Sequence, residues 1–279
     1  MPIHDQSYRR YAGDRKPEGR AWTVIASAGI KQMLAKRKFL GLLLIAWLPF
    51  IVRSVMLYVA ANFPQASMIA PTPGTFRAFL EFQSLFTFFI TIFTGAGLIA
   101  NDLRANALQI YLSKPLGRAE YIAGKFAVLA FFLLLVTWLP ATMLLIVQIV
   151  FAGNLNFLKA NLFLLPAIAV YTAIETIVLS FVMLALSSLS KSARFVGIMY
   201  AGMIFFTHAL YGVVFVVTRN TRFSWMSLQA NLQHIGDVIF RVPPRYDTPG
   251  WATVLALAAI VATAGFVLER RVRGVEVVT

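Results

Sequence analysis

The chain of 279 residues contains no cysteine. Disulfides, thiolate metal sites and thiol catalysis are therefore excluded. Acidic residues are scarce, 11 against 25 Lys and Arg, and charged residues total only 13%, about half the share in soluble domains. The three histidines, His4, His208 and His234, lie far apart, and no H-E-x-x-H occurs. No G-x-S-x-G nucleophile elbow is present either. The nearest approach to a phosphate loop, "GRAEYIAGKF", has the wrong glycine spacing and Phe126 where Ser or Thr should hold magnesium. These gaps exclude a phosphate-loop ATPase and a zinc protease, and the expectation is a non-enzyme.

What remains is apolar. Hydrophobic residues make up 59% of the chain and the mean hydropathy is +0.75. Six runs, at residues 39–61, 80–100, 126–151, 162–186, 195–217 and 251–268, are each near the roughly 20 residues that cross a bilayer as helix. Runs this long without alternation do not suit barrel strands. The expected fold is an all-α polytopic membrane protein: a segment 1–38, a six-span domain 39–268 and a tail 269–279. The first twenty residues carry no apolar core, so no cleavable signal peptide is expected and the first span directs insertion.

The net charge of +14 sits at the ends of the apolar runs rather than in one patch. That pattern fits topology, not nucleic acid. Basic residues crowd 9–38, the loop holding Arg104, Lys114, Arg118 and Lys125, the pair Lys191 and Arg194, and 270–273. Those four regions share one side by parity, which predicts both termini in the cytoplasm. The loop with Arg219, Arg222, Arg241 and Arg245 falls on the opposite side. Within it, residues 227–240 read as a short amphipathic helix at the interface. Residues 62–74, with Pro71 and Pro73, read as a turn-rich loop without helix.

Ahead of the first span, Trp22, Ile25, Ala26, Gly29, Ile30, Met33 and Leu34 recur at helical spacing while Lys31, Gln32 and Lys36 face elsewhere. A basic amphipathic helix of this kind lies along the cytoplasmic surface, as a passive anchor or as a coupling element. Inside the spans, Arg53, Glu175 and His208 fall at comparable depth, roughly 17–20 Å from the inner ends by helical rise. An Arg53–Glu175 pair facing protein or a cavity is one reading, and snorkelling or backbone bonding the other. Met199 and Met203 read as packing in preference to a soft-metal ladder.

Between the second and third runs lies a polar island, "YLSKPLGRAEYIAGK". Asn101 and Asp102 are helix-starting residues. Leu103, Ala107, Leu108 and Tyr111 would share one helical face, and Pro115 would end that helix. Gly117 permits a turn into a helix beginning at Ala119. The expected product is a helix–turn–helix elbow with basic groups at its tip.

This stretch resembles the loop of ABC-2 type exporter permeases, which runs acid–basic–helix, then L-S-[KR]-P, then R-x-x-Y-[IL]-x-[GA]-K. The residues that carry the resemblance are Asp102, Arg104, Leu112, Ser113, Lys114, Pro115, Arg118, Tyr121, Ile122, Gly124 and Lys125. The most similar group is NosY-like, labelled for multicopper-enzyme maturation; its members often carry Asp-Glu where this chain has Asn101-Asp102. The resemblance implies a complex of two permeases, as homodimer or paralogue heterodimer, with two ABC ATP-binding subunits in a bacterial inner membrane. It implies a connecting helix bearing Trp22, Ile25, Ile30 and Met33. It also implies an ATPase-docking coupling loop bearing Asp102, Leu103, Arg104, Leu108, Tyr111, Ser113, Lys114, Pro115, Arg118 and Tyr121. No cofactor is expected on the permease; ATP and magnesium belong to the partner. The competing expectations are an ion-coupled transporter or channel using Arg53, Glu175 and His208, and an accessory membrane anchor.

Overall fold

The computed structural model describes residues 21–63, 65, 71–107 and 117–272. Among them six helices are long and apolar enough to cross a membrane: Arg37–Asn62, Pro73–Arg104, Arg118–Ala152, Leu164–Leu189, Ala193–Thr218 and Gly250–Arg271. The chain is an all-helical, multi-pass membrane protein, with no strand among the described residues. The fourth span forms the centre, with 67% of its most apolar stretch buried, whereas the fifth has 6% and lines the outside of the single chain.

A leading helix, Ala21–Leu34, packs against the near half of the third span. Two glycines set the approach. A methyl group on Gly124 would lie 2.7 Å from Ile25 Cβ, and one on Gly29 would lie 2.6 Å from Val128 Cγ2. Ala26 and Met33 are buried in this contact, Ile25 and Ile30 pack against the core, and Trp22 stays exposed. The apolar stripe expected to face lipid is thus largely spent on protein.

Three spans are broken, and each break has a donor or acceptor supplied by a neighbour. The first span changes direction at Trp47, where Pro49 enters the next helical segment, Leu48–Asn62. There the Phe50 N–H turns to the Trp47 carbonyl, leaving the Ala46 carbonyl free. The third span breaks at Thr137 because Pro140 has no N–H to give the Val136 carbonyl four residues back. A single side chain in the second span serves both: Gln83 Nε2 donates to Ala46 O at 2.7 Å and to Val136 O at 2.6 Å. Gln83 is fully buried. In a bilayer no water would meet these carbonyls, so a neighbouring side chain must.

The second span itself loosens after Gly95. Ser187 of the fourth span fills the gap, accepting from the N–H groups of Ile99 (3.1 Å) and Ala100 (3.0 Å) and donating to the Ala96 carbonyl (3.0 Å).

One sequence expectation is corrected at a helix start. The second span begins at Pro73, not near residue 80, because proline suits the first helical position and Thr72 and Thr75 cap each other's backbone there. Residues 227–240 form the helix Leu228–Ile239, as the sequence suggested. It is wedged among the second, fourth, fifth and sixth spans, with Leu228, Asn231, His234, Gly236 and Asp237 all buried. The turn Thr221–Met226 leads into it.

Candidate functional site

At one end of the bundle the polar island is anchored by Asp102. Its Oδ2 accepts from Tyr121 Oη at 2.7 Å and pairs with Lys125 Nζ at 2.7 Å. Tyr121 is buried and the Lys125 ammonium lies 5.3 Å from its ring centroid. Asp102 is therefore not a helix-starting cap: the short helix Ala100–Arg104 carries no side-chain cap at Ile99, and the carboxylate is committed across the loop. That helix also ends sooner than expected. Asn106 adopts a left-handed backbone (φ 52°), so Leu103 and Ala107 do not lie on one continuous helix. Arg104 and Arg118 are exposed on either side of the tie, and Leu103 is half-buried. The expected sites Leu108, Tyr111, Ser113, Lys114 and Pro115 lie outside the described residues. Of the connecting-helix residues, Met33 is buried and Ile25 and Ile30 are half-buried against the third span and core.

At the other end, four charges that sequence reasoning left unpaired converge. Arg77 Nε meets Asp237 Oδ1 at 2.9 Å, and Arg77 Nη2 donates to the Gln233 carbonyl at 2.9 Å. Arg245 Nε lies 3.3 Å from Asp237 Oδ2, and its terminal nitrogens grip both oxygens of Glu81. The hydrogen bonds to Glu81 hold the Arg245 guanidinium above its ordinary range. Tyr246 donates to Gln233 Oε1 at 2.7 Å, and burial pushes its phenol up. Gly236 allows this: a methyl there would stand 2.6 Å from Arg77 Nε and 2.9 Å from the Tyr171 ring. The basic loop that dissented from the charge rule is thus fastened to the start of the second span. Arg77 and Glu81, one helical turn apart, were the available signal; their partners 150 and more residues away were not.

The three intramembrane polar residues do not form a site. Arg53 is exposed, and its described contact is Met56 Sδ at 4.0 Å. His208 Nδ1 faces Ser227 Oγ at 3.3 Å. Glu175 is buried and accepts from Thr87 Oγ1 at 3.3 Å. No hydrogen bond or ion pair among the described residues joins any two of them. The Arg53–Glu175 pair is corrected: equal depth does not bring side chains together when one is exposed and the other is buried inside the bundle.

Glu175 instead lines a cleft of ≈ 580 Å³ between the second, fourth and fifth spans and the helix Leu228–Ile239. Phe88 stacks on Tyr200 there with centroids 5.7 Å apart and meets Phe205 edge-on at 5.7 Å. Thr87 lines the same wall, and Glu81 and Gln233 also line the cleft.

In comparison with known proteins, the chain matches no family model and no curated sequence.

Proposed function

We propose that this chain is the membrane-spanning permease subunit of an ATP-binding-cassette exporter in a plasma membrane, with a separate ATPase docking on residues 103–118. The observation that carries the reading is the Asp102–Tyr121–Lys125 tie. Those three residues belong to the loop pattern that resembles ABC-2 type permeases, and they stitch the end of the second span to the start of the third. A loop clamped in this way passes a push from a docked partner into both spans at once. Arg104 and Arg118, exposed beside the tie, are the docking charges. The clustered basic residues of that loop and of both termini support a cytoplasmic location for them.

The fifth span, with Phe205, Phe206, Val213 and Val216 exposed, leaves a long apolar face for a second permease copy and lipid. ATP and magnesium sit in the partner, and the permease carries no catalytic residue of its own. The ion-coupled alternative would have Arg53, Glu175 and His208 share one site, and no hydrogen bond or ion pair among the described residues joins any two of them.

The test is co-expression with the candidate ATPase followed by capture in detergent. Wild type should retain the ATPase, and Arg104→Glu/Lys114→Glu/Arg118→Glu should lose it while eluting as a folded species. Failure of wild type to retain any ATPase sinks the reading.

A further inference from the structure

The cleft beside Glu175 holds a carboxyl with no cation paired to it among the described residues. Its two carboxylates differ in circumstance. Glu81, at one end, is gripped by Arg245 and needs no further partner. Glu175 is 3% exposed and forms no ion pair among the described residues; its one described hydrogen bond comes from Thr87, and its Oε2 is buried with no bond at all. Arg77, a buried cation, is committed to Asp237. A carboxylate at such a depth costs several kcal/mol unless a counter-charge or water reaches it.

Around Glu175 the cleft offers aromatic faces, not cations. Phe88, Tyr200 and Phe205 make a contiguous ring cluster along one side. Cations bind over such faces, the more strongly when desolvated. The volume of ≈ 580 Å³ lies within the range of sites for drug-sized molecules. The mouth is flanked by exposed Phe82, Leu85 and Phe89 of the second span and Phe205 of the fifth, side chains that admit a molecule from the apolar phase rather than from water.

We propose that this cleft binds a lipophilic organic cation, its charge met by Glu175 and its apolar body held by Phe88, Tyr200 and Phe205. The ligand supplies the counter-charge that the fold withholds, so binding discriminates by charge as well as by size. As a substrate assignment it rests on the export reading, but occupancy is a property of this chain alone.

The probe is radiolabelled tetraphenylphosphonium, measured on the purified full chain in lipid nanodiscs without ATPase, with empty nanodiscs subtracted. Displacement by unlabelled tetraphenylphosphonium is compared with displacement by uncharged triphenylphosphine oxide. Wild type should bind saturably, with the neutral compound at least tenfold weaker as a competitor. Glu175→Gln should weaken tetraphenylphosphonium at least tenfold and narrow its advantage over the oxide. Phe205→Ala should weaken it severalfold, and Arg53→Gln, outside the cleft, should leave it unchanged. No saturable binding, charge-blind displacement, or wild-type affinity in a folded Glu175→Gln overturns the proposal. Should Glu175→Gln not fold, wild-type charge discrimination and Phe205→Ala decide alone. Binding without ATPase capture would sink the export reading and leave the site standing; capture without binding would do the reverse.

Discussion

Arg77 and Asp237, 160 residues apart in sequence, meet at 2.9 Å with both side chains almost fully buried. This pair fastens the helix Leu228–Ile239 into the bundle. Arg77→Met should destabilise by about 3–5 kcal/mol, because Asp237 keeps its charge and loses its better partner. Arg77→Met combined with Asp237→Leu should recover much of that loss. Thermal unfolding of the purified variants measures both, and a double variant as unstable as the sum of the singles refutes the pairing.

Gln83→Leu removes a donor from two carbonyls at once. Each buried unsatisfied carbonyl costs about 1–3 kcal/mol, so the loss should exceed that of an ordinary buried hydrogen bond. Pro140→Ala restores an N–H that the Val136 carbonyl can use. The damage from Gln83→Leu should therefore be smaller in the Pro140→Ala background, by unfolding measurements on all four chains. Equal losses in the two backgrounds would show that Gln83 is not serving the break.

How much of this was legible in the sequence divides by range. The six spans were readable because each is a continuous apolar run, and burial of such runs needs no knowledge of a partner. The prolines at 49 and 140 were visible as residues, yet both spans read as uninterrupted runs, so the bends were missed. What met the bends was not visible, since Gln83 lies on a different helix from either carbonyl. The same holds for Arg77 and Asp237, and for Arg53 and Glu175 in the opposite sense. Helical rise predicts depth from residue count; the direction in which a side chain points depends on packing that only the fold supplies.

The tie at Asp102 predicts coupling between residues of the second and third spans. Asp102→Ala and Lys125→Ala should each destabilise, and the double variant should cost less than their sum by about 0.5–3 kcal/mol. Strict additivity in unfolding midpoints would mean that the pair is ornamental.

At Gly124 the leading helix packs tightly on the third span, with Ile25 Cβ 2.7 Å and the Trp22 carbonyl oxygen 3.0 Å from where a methyl group would stand. Gly124→Leu should force the two apart at a cost of about 1–3 kcal/mol, while Gly117→Leu, where no atom of the described residues lies within 4 Å of an added methyl group, should cost less. Because the chain has no cysteine, an Ile25→Cys label can be read without background. Its accessibility to a thiol reagent should rise in the Gly124→Leu chain and stay low in the Gly117→Leu chain.

The shared hydrogen bonds of Gln83 also have a mechanical consequence. One amide nitrogen cannot follow two carbonyls moving in different directions. The first and third spans must therefore flex about their bends in concert, or one bend must surrender its bond. A force applied at the base of the third span would reach the first through this group as well as through the direct ring contacts of Phe39 with Phe132 and Tyr58 with Phe151.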